Sequence, residues 1–196
     1  MQSHGWVLGV GAALLILLVA AIGGIYFLES KAGLEFFPAI YQKYCHSHAC
    51  SFVQVVGNSM NPTLQSNQRV LFIAGYYADN PLAHGDIVQV ASVIPLAKRV
   101  IALPGDKLEL REGQLYLNDS LLLEPYLLER ADSQHYDVLM EQLRTTQFRV
   151  PSGKVVVMGD NRNASTDSGS LGLFSISDIQ GRIIIVTWVD ALFQKA

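Results

Sequence analysis

Two residues of this chain could do covalent chemistry together, Ser59 and Lys98. Ser59 stands in Gly57-Asn58-Ser59-Met60-Asn61-Pro62-Thr63, directly after the apolar run Ser51–Val56. A serine flanked by Gly and Asn at the end of a strand can project its hydroxyl out of a sheet. Neighbouring backbone N–H groups can then converge on one point, as an oxyanion hole requires. The same serine is also an ordinary turn residue unless a base takes its proton, because a hydroxyl is a poor nucleophile. Lys98 opens the apolar run Lys98-Arg99-Val100-Ile101-Ala102. A lysine at a strand start is ordinarily solvated. Turned into a core, it loses its preference for the charged form, and the neutral amine becomes a general base. The histidines are placed less well. His46 and His48 precede the serine's strand, His84 precedes a Gly-Asp turn, and His135 lies in a polar stretch of mixed pattern. A serine–lysine pair is therefore favoured over a Ser-His-Asp triad.

The elements that must hold this pair read as strands. Ser51–Val56, Arg69–Ala74, Asp86–Ala91 and Lys98–Ala102 are short and rich in β-branched residues. Turn residues separate them: Asn58, Asn61-Pro62, Asn80-Pro81, His84-Gly85 and Pro104-Gly105. Lys107–Arg111 and Gln114–Asn118 form a hairpin around Glu112-Gly113. Leu121–Gln147 is polar and ambiguous, a loop-rich excursion with a short helix. Val150–Met158 and Arg182–Val189 complete a mostly β domain.

Charge is distributed unevenly over the 196 residues: 14 Lys and Arg and 17 Asp and Glu give a net of −3, and none precedes Glu29. The slight acidity argues against a nucleic-acid partner, which needs a basic patch. Trp6–Leu28 is uncharged and long enough to span a bilayer, with Trp6 and Tyr26 near its ends. A cleaved secretory leader is the competing reading, but such leaders carry a basic n-region and a shorter apolar core. The expected plan is a tail over 1–5, a transmembrane anchor over 6–28, a juxtamembrane linker over 29–50 and one globular domain over 51–196. Flanking charge does not orient the anchor, because no basic residue precedes it and Lys31 lies between Glu29 and Glu35. Cys45-His46-Ser47-His48-Ala49-Cys50 has no usual zinc spacing, so no metal is expected. Outside the cytoplasm Cys45 and Cys50 would bridge, with free thiols as the alternative.

These motifs together resemble bacterial signal peptidase I, a membrane-bound serine endopeptidase with a Ser/Lys dyad. Ser59-Met60-Asn61-Pro62-Thr63 is similar to that family's nucleophile box, and Gly85-Asp86-Ile87-Val88 to a second. Lys98-Arg99-Val100-Ile101-Ala102-Leu103-Pro104-Gly105-Asp106 is similar to its lysine box. Gly159-Asp160-Asn161-Arg162, followed by Ser165, Asp167, Ser168 and Gly172, is similar to its last. Tyr116-Leu117-Asn118 and Glu124-Pro125-Tyr126 echo its spacer. The boxes keep the family's order over residues 51 to about 190.

The resemblance implies a coiled antiparallel β-sheet catalytic domain behind a single N-terminal helix, on the extracytoplasmic face of the plasma membrane. It implies Ser59 as nucleophile, Lys98 as base, and Ser165 as the hydroxyl that orients the amine. Asp160, Asn161, Arg162, Asp167 and Arg99 would support them. Relatives often carry a serine two residues before the nucleophile; here it is Gly57, so the oxyanion hole would rest on backbone N–H, chiefly that of Ser59. Val55, Met60 and Ala97 match the walls of shallow pockets for small side chains. The partners would be signal peptides of secreted preproteins and membrane lipid, with no cofactor. One departure stands out. The family's last box ordinarily reads Asp-Ser-Arg, but here it is Asp167-Ser168-Gly169. Asp167 then needs another partner, expected to be Arg99 or Arg162. Two rivals remain: a conjugation- or pilin-linked maturation peptidase of the same superfamily, and a peptide-binding β module on the membrane that no longer cuts.

Overall fold

The computed structural model describes residues 41–186. The expected anchor and tail, and most of the linker, lie outside these residues; no helix among those described is long and apolar enough to cross a membrane. Before residue 48 the described structure is a π-helical turn, Tyr41–Cys45. A compact unit begins at His48. Neither cysteine is free: Cys45 and Cys50 are disulfide-bonded.

Seven strands of the compact unit form one sheet: β1 (Ala49–Gln54), β2 (Arg69–Ala74), β3 (Ile87–Val90), β4 (Leu96–Ala102), β8 (Lys154–Met158), β9 (Phe174–Ser175) and β10 (Ile179–Ile184). Their order is β1-β2-β10-β3-β4-β8-β9, and every pairing is antiparallel. A second sheet joins β5 (Leu108–Arg111), β6 (Gln114–Leu117) and β7 (Ser120–Leu121). Glu112 and Gly113 both have positive φ (49° and 72°), the geometry of a type I′ turn that joins β5 to β6 with matching twist. The architecture is mostly β, as the sequence predicts. Several boundaries move. β1 starts two residues earlier and ends before Val55, so Ser59 sits in a turn rather than at a strand end. β8 begins at Lys154, and β10 runs from Ile179 to Ile184 rather than from Arg182 to Val189, whose last residues lie outside those described. The ambiguous stretch contains β7, a 3-10 turn (Ser133–Tyr136) and helix α1 (Asp137–Arg144).

Three apolar clusters hold the strands. Val88, Val90, Val100, Val155 and Val157 pack between the middle strands. Val55, Met60, Leu64, Val70, Ile87 and Ile183 pack beneath the loop that carries Ser59. Leu139 and Leu143 of α1 seal the second sheet's Leu108 and Leu115 against Val156 and Met158 of β8. β8, between β4 and the short edge strand β9, is buried along Val155–Met158, in keeping with its unbroken apolar run. β4 is buried from Val100 through Ala102 and at Lys98, so the core that accepts valine on this strand must also accept an amine.

Candidate active site

Lys98 pairs in register with Val88 of β3, with β8 on its other side, and only 1% of it is exposed. Its Nζ lies 2.8 Å from Oγ of half-buried Ser59. Burial pulls the amine's pKa below the ordinary lysine value; the charges of Asp167 and then Asp160 oppose that pull without reversing it. The serine therefore faces an amine whose charged form is disfavoured by burial.

The turn bearing Ser59 is tied to the segment after β8. Ser59 O accepts from Asn161 N–H at 2.9 Å, and Asn58 O accepts from Asn161 Nδ2 at 3.2 Å. Gly159 makes this approach feasible. A Cβ there would overlap the Ser59 carbonyl oxygen and Ser165 Oγ and lie 2.7 Å from Ser165 Cβ. Gly159→Ala is therefore expected to push the two segments apart and lower kcat/KM about 100-fold, the penalty for displacing reacting groups by about 1 Å. Steady-state kinetics on the folded variant check this.

Asp160 organises the other flank. Arg99 grips it with two nitrogens, Nε to Oδ1 at 2.8 Å and Nη2 to Oδ2 at 2.6 Å, and Thr63 Oγ1 donates to Oδ2 at 2.5 Å. The Tyr126 ring covers the Arg99 guanidinium at 4.1 Å. A paired, planar fork of this kind fixes a buried carboxylate in one orientation. Fully buried Arg162 donates to Gly159 O at 3.1 Å and to Tyr136 Oη at 2.9 Å, and is paired with Glu124.

Neither arginine reaches Asp167, against the expectation from the sequence. Arg99 and Arg162 are taken by Asp160 and Glu124. Asp167 instead meets His135, Nε2 to Oδ1 at 3.2 Å, and accepts backbone N–H from Gly159 and Gly169 at 2.7 and 2.9 Å. Burial alone would raise its pKa. The imidazole and the two amides together hold it below the usual carboxylate range. Ser165 Oγ is buried without a hydrogen-bond partner, so the bond to Lys98 that the sequence predicts is not made.

Beside Ser59 a cleft of about 320 Å³ is lined by Val55, Gly57, Met60, Ala97, Ile94 and Ile183, among others. The three expected pocket residues line the same cleft as the serine. Gly57 has φ +88°, a left-handed conformation that disfavours a side chain. Two other histidines are engaged elsewhere: His84 with Asp106 at 2.6 Å, and His48 against the Tyr76 ring. Thr63, Glu124, Gly159 and His135 had no expected role from sequence. Thr63, Glu124 and Gly159 were visible as motif neighbours, whereas His135 carried no local signal.

The family described as signal peptidase, peptidase S26, matches residues 36–188. Signal peptidase I S of Bacillus subtilis (strain 168) is 39% identical over 132 residues, 65% of this chain and 71% of that protein. Signal peptidase IB of Staphylococcus aureus (strain COL) is 31% identical over 150 residues, 71% of this chain and 78% of that protein. A crystal structure of a signal peptidase I from Enterococcus faecalis V583 aligns with 55% of this chain and 98% of its own at 32% identity, with a TM-score of 0.43. The chain is thus a serine-type peptidase, a hydrolase. It belongs to the signal peptidase family, peptidase S26.

Proposed function

We propose that this protein cleaves signal peptides from exported preproteins with a Ser59–Lys98 dyad. The observation that carries the reading is the 2.8 Å contact between a buried amine and the Ser59 hydroxyl at the end of an apolar cleft. In the resting contact Nζ donates; in the reaction the neutral amine accepts. Ser59 Oγ attacks the scissile carbonyl carbon as its proton passes to Lys98. The oxyanion is stabilised by backbone N–H of Ser59, with Gly57 leaving that approach open. Collapse breaks the C–N bond, and the Lys98 proton leaves on the new amine. Lys98 then takes a proton from water as its oxygen attacks the acyl carbon, and returns that proton to Ser59 Oγ as the acyl C–O bond breaks. The steps need no metal or cofactor.

The substrate would lie extended against the cleft, main chain giving affinity and the walls at Val55, Met60 and Ala97 admitting only small side chains. The apolar segment over 6–28 would anchor the chain, with its domain extracytoplasmic where a preprotein's cleavage site emerges. Exposed Val56, Val93 and Ile94, two of which line the cleft, fit work at a lipid surface. Keeping Ser59 and Lys98 in contact favours this over a binding module that no longer cuts.

The test is cleavage of signal-peptide and control substrates by the purified protein across pH. Because only neutral Lys98 accepts the proton, kcat/KM should fall as pH drops. The midpoint of that limb should lie below the ordinary lysine value of 10.5. Absence of selective cleavage, or a midpoint at that ordinary value, refutes the reading.

A further inference from the structure

Asp167 carries a charge with no solvent contact, close enough to the reacting pair to act on it. Two backbone amides bind its oxygens, but amide dipoles alone do not neutralise a buried carboxylate. His135 faces it at ion-pair distance, Nε2 3.2 Å from Oδ1, with 11% of the imidazole side chain exposed and Nε2 otherwise without a hydrogen-bond partner. The ring fits there because residue 169 is glycine. A Cβ at that position would come within 2.6 Å of both Cδ2 and the backbone O of His135, and closer still to Nε2. A side chain at 169 and an imidazole at 135 exclude each other.

We infer that His135 is a positioning residue of the active site: its imidazole is the counter-group of Asp167, seated in the space that Gly169 leaves open. Through Asp167 it holds Gly159, and Gly159 packs against both Ser165 and the Ser59 carbonyl. The inference rests on reading Ser59 as nucleophile and Lys98 as base. Its second consequence is electrostatic. The Asp167 charge favours the protonated form of Lys98, against the larger effect of burial. A counter-group on Asp167 weakens that influence and leaves the amine freer to be neutral.

Other groups around the imidazole are accounted for. Asp132 and Asp137 flank its own turn, and the Tyr136 ring meets it edge-on at 5.2 Å. Tyr136 Oη is bound by Arg162, itself paired with Glu124. Of the helices packed on the turn, α1 pairs Glu141 with Arg144 at the surface, and α2 (Ser168–Leu171) has no charged residue.

The experiment compares His135→Ala and His135→Gln with the parent chain, recording thermal melting and kcat/KM against pH on one signal-peptide substrate. In His135→Ala the uncompensated Asp167 charge should hold the proton on Lys98 to higher pH. The acid limb should then move up by about one pH unit and kcat should fall about tenfold at neutral pH, with KM little changed. His135→Gln, which replaces the imidazole with an amide donor, should fall between. A limb that stays in place in both variants overturns the inference. So does a loss of kcat that merely follows loss of folded protein while the limb of His135→Gln is unmoved. Turnover abolished in both folded variants would instead make His135 the base and refute the Ser59–Lys98 reading.

Discussion

Ser59→Ala should reduce turnover of a signal-peptide substrate by about 10⁶-fold, the scale on which removing a serine nucleophile acts when the rest of its machinery survives. The loss should fall on kcat rather than KM, because the cleft walls at Val55, Met60 and Ala97 are untouched. The fold should persist. The turn holding Ser59 is fixed mainly by backbone contacts, Ser59 O to Asn161 N–H and Asn61 N–H to Asn58 O, which the substitution leaves intact. Lys98 Nζ loses its hydroxyl partner at 2.8 Å, and an unsatisfied buried polar group costs about 1–3 kcal/mol. A fall in melting temperature of a few degrees is therefore expected. Rapid-quench kinetics provide the sharper check: the parent chain should form a covalent acyl-enzyme at Ser59, and the variant should form none. Near-normal turnover in the folded variant would remove Ser59 from the chemistry.

How far the sequence foretold this site depends on the distance over which each feature is encoded. β2 is legible because its apolar run is local and closed by Gly75, and its predicted bounds are those observed. The β5–β6 hairpin is legible for a similar reason, since Glu112-Gly113 specifies the turn and the turn fixes the register. Lys98 is legible as a candidate base because it opens an apolar run, and a lysine turned into a core loses its preference for the charged form. What lay beyond reach was pairing between distant segments. Nothing local says that β10 inserts between β2 and β3, nor that Arg99 closes on Asp160 and leaves Asp167 to another residue. The glycine at 169 showed that an arginine was missing. It did not show that the vacated space would admit a histidine from a different turn. Ser165 was assigned from its place in a motif, yet hydroxyl orientation depends on packing around Gly159, which no spacing rule contains.

Lys98→Met should separate catalysis from stability more cleanly than any other substitution. Methionine fills the space of the lysine stem but cannot accept a proton, so Ser59 would be left without a base. Turnover should drop by about 10⁴-fold or more, the upper range for a positioned general base. Stability should move the other way. In the unfolded chain Lys98 is an ordinary lysine, protonated up to about pH 10.4. In the fold, burial pulls its pKa down, so between the two values the unfolded state binds the extra proton. Stability of the parent chain then rises with pH through that window, and the buried amine is a growing liability as pH falls from the unfolded value toward the folded one. Lys98→Met removes this liability. Its melting temperature should exceed that of the parent at neutral pH, and the gap should narrow as pH approaches 10. The required measurement is a pair of melting curves across that range beside the cleavage assay. A variant that melts lower at neutral pH, or whose gap ignores pH, would mean that the amine is charged and paired in the fold, and thus unfit to deprotonate Ser59.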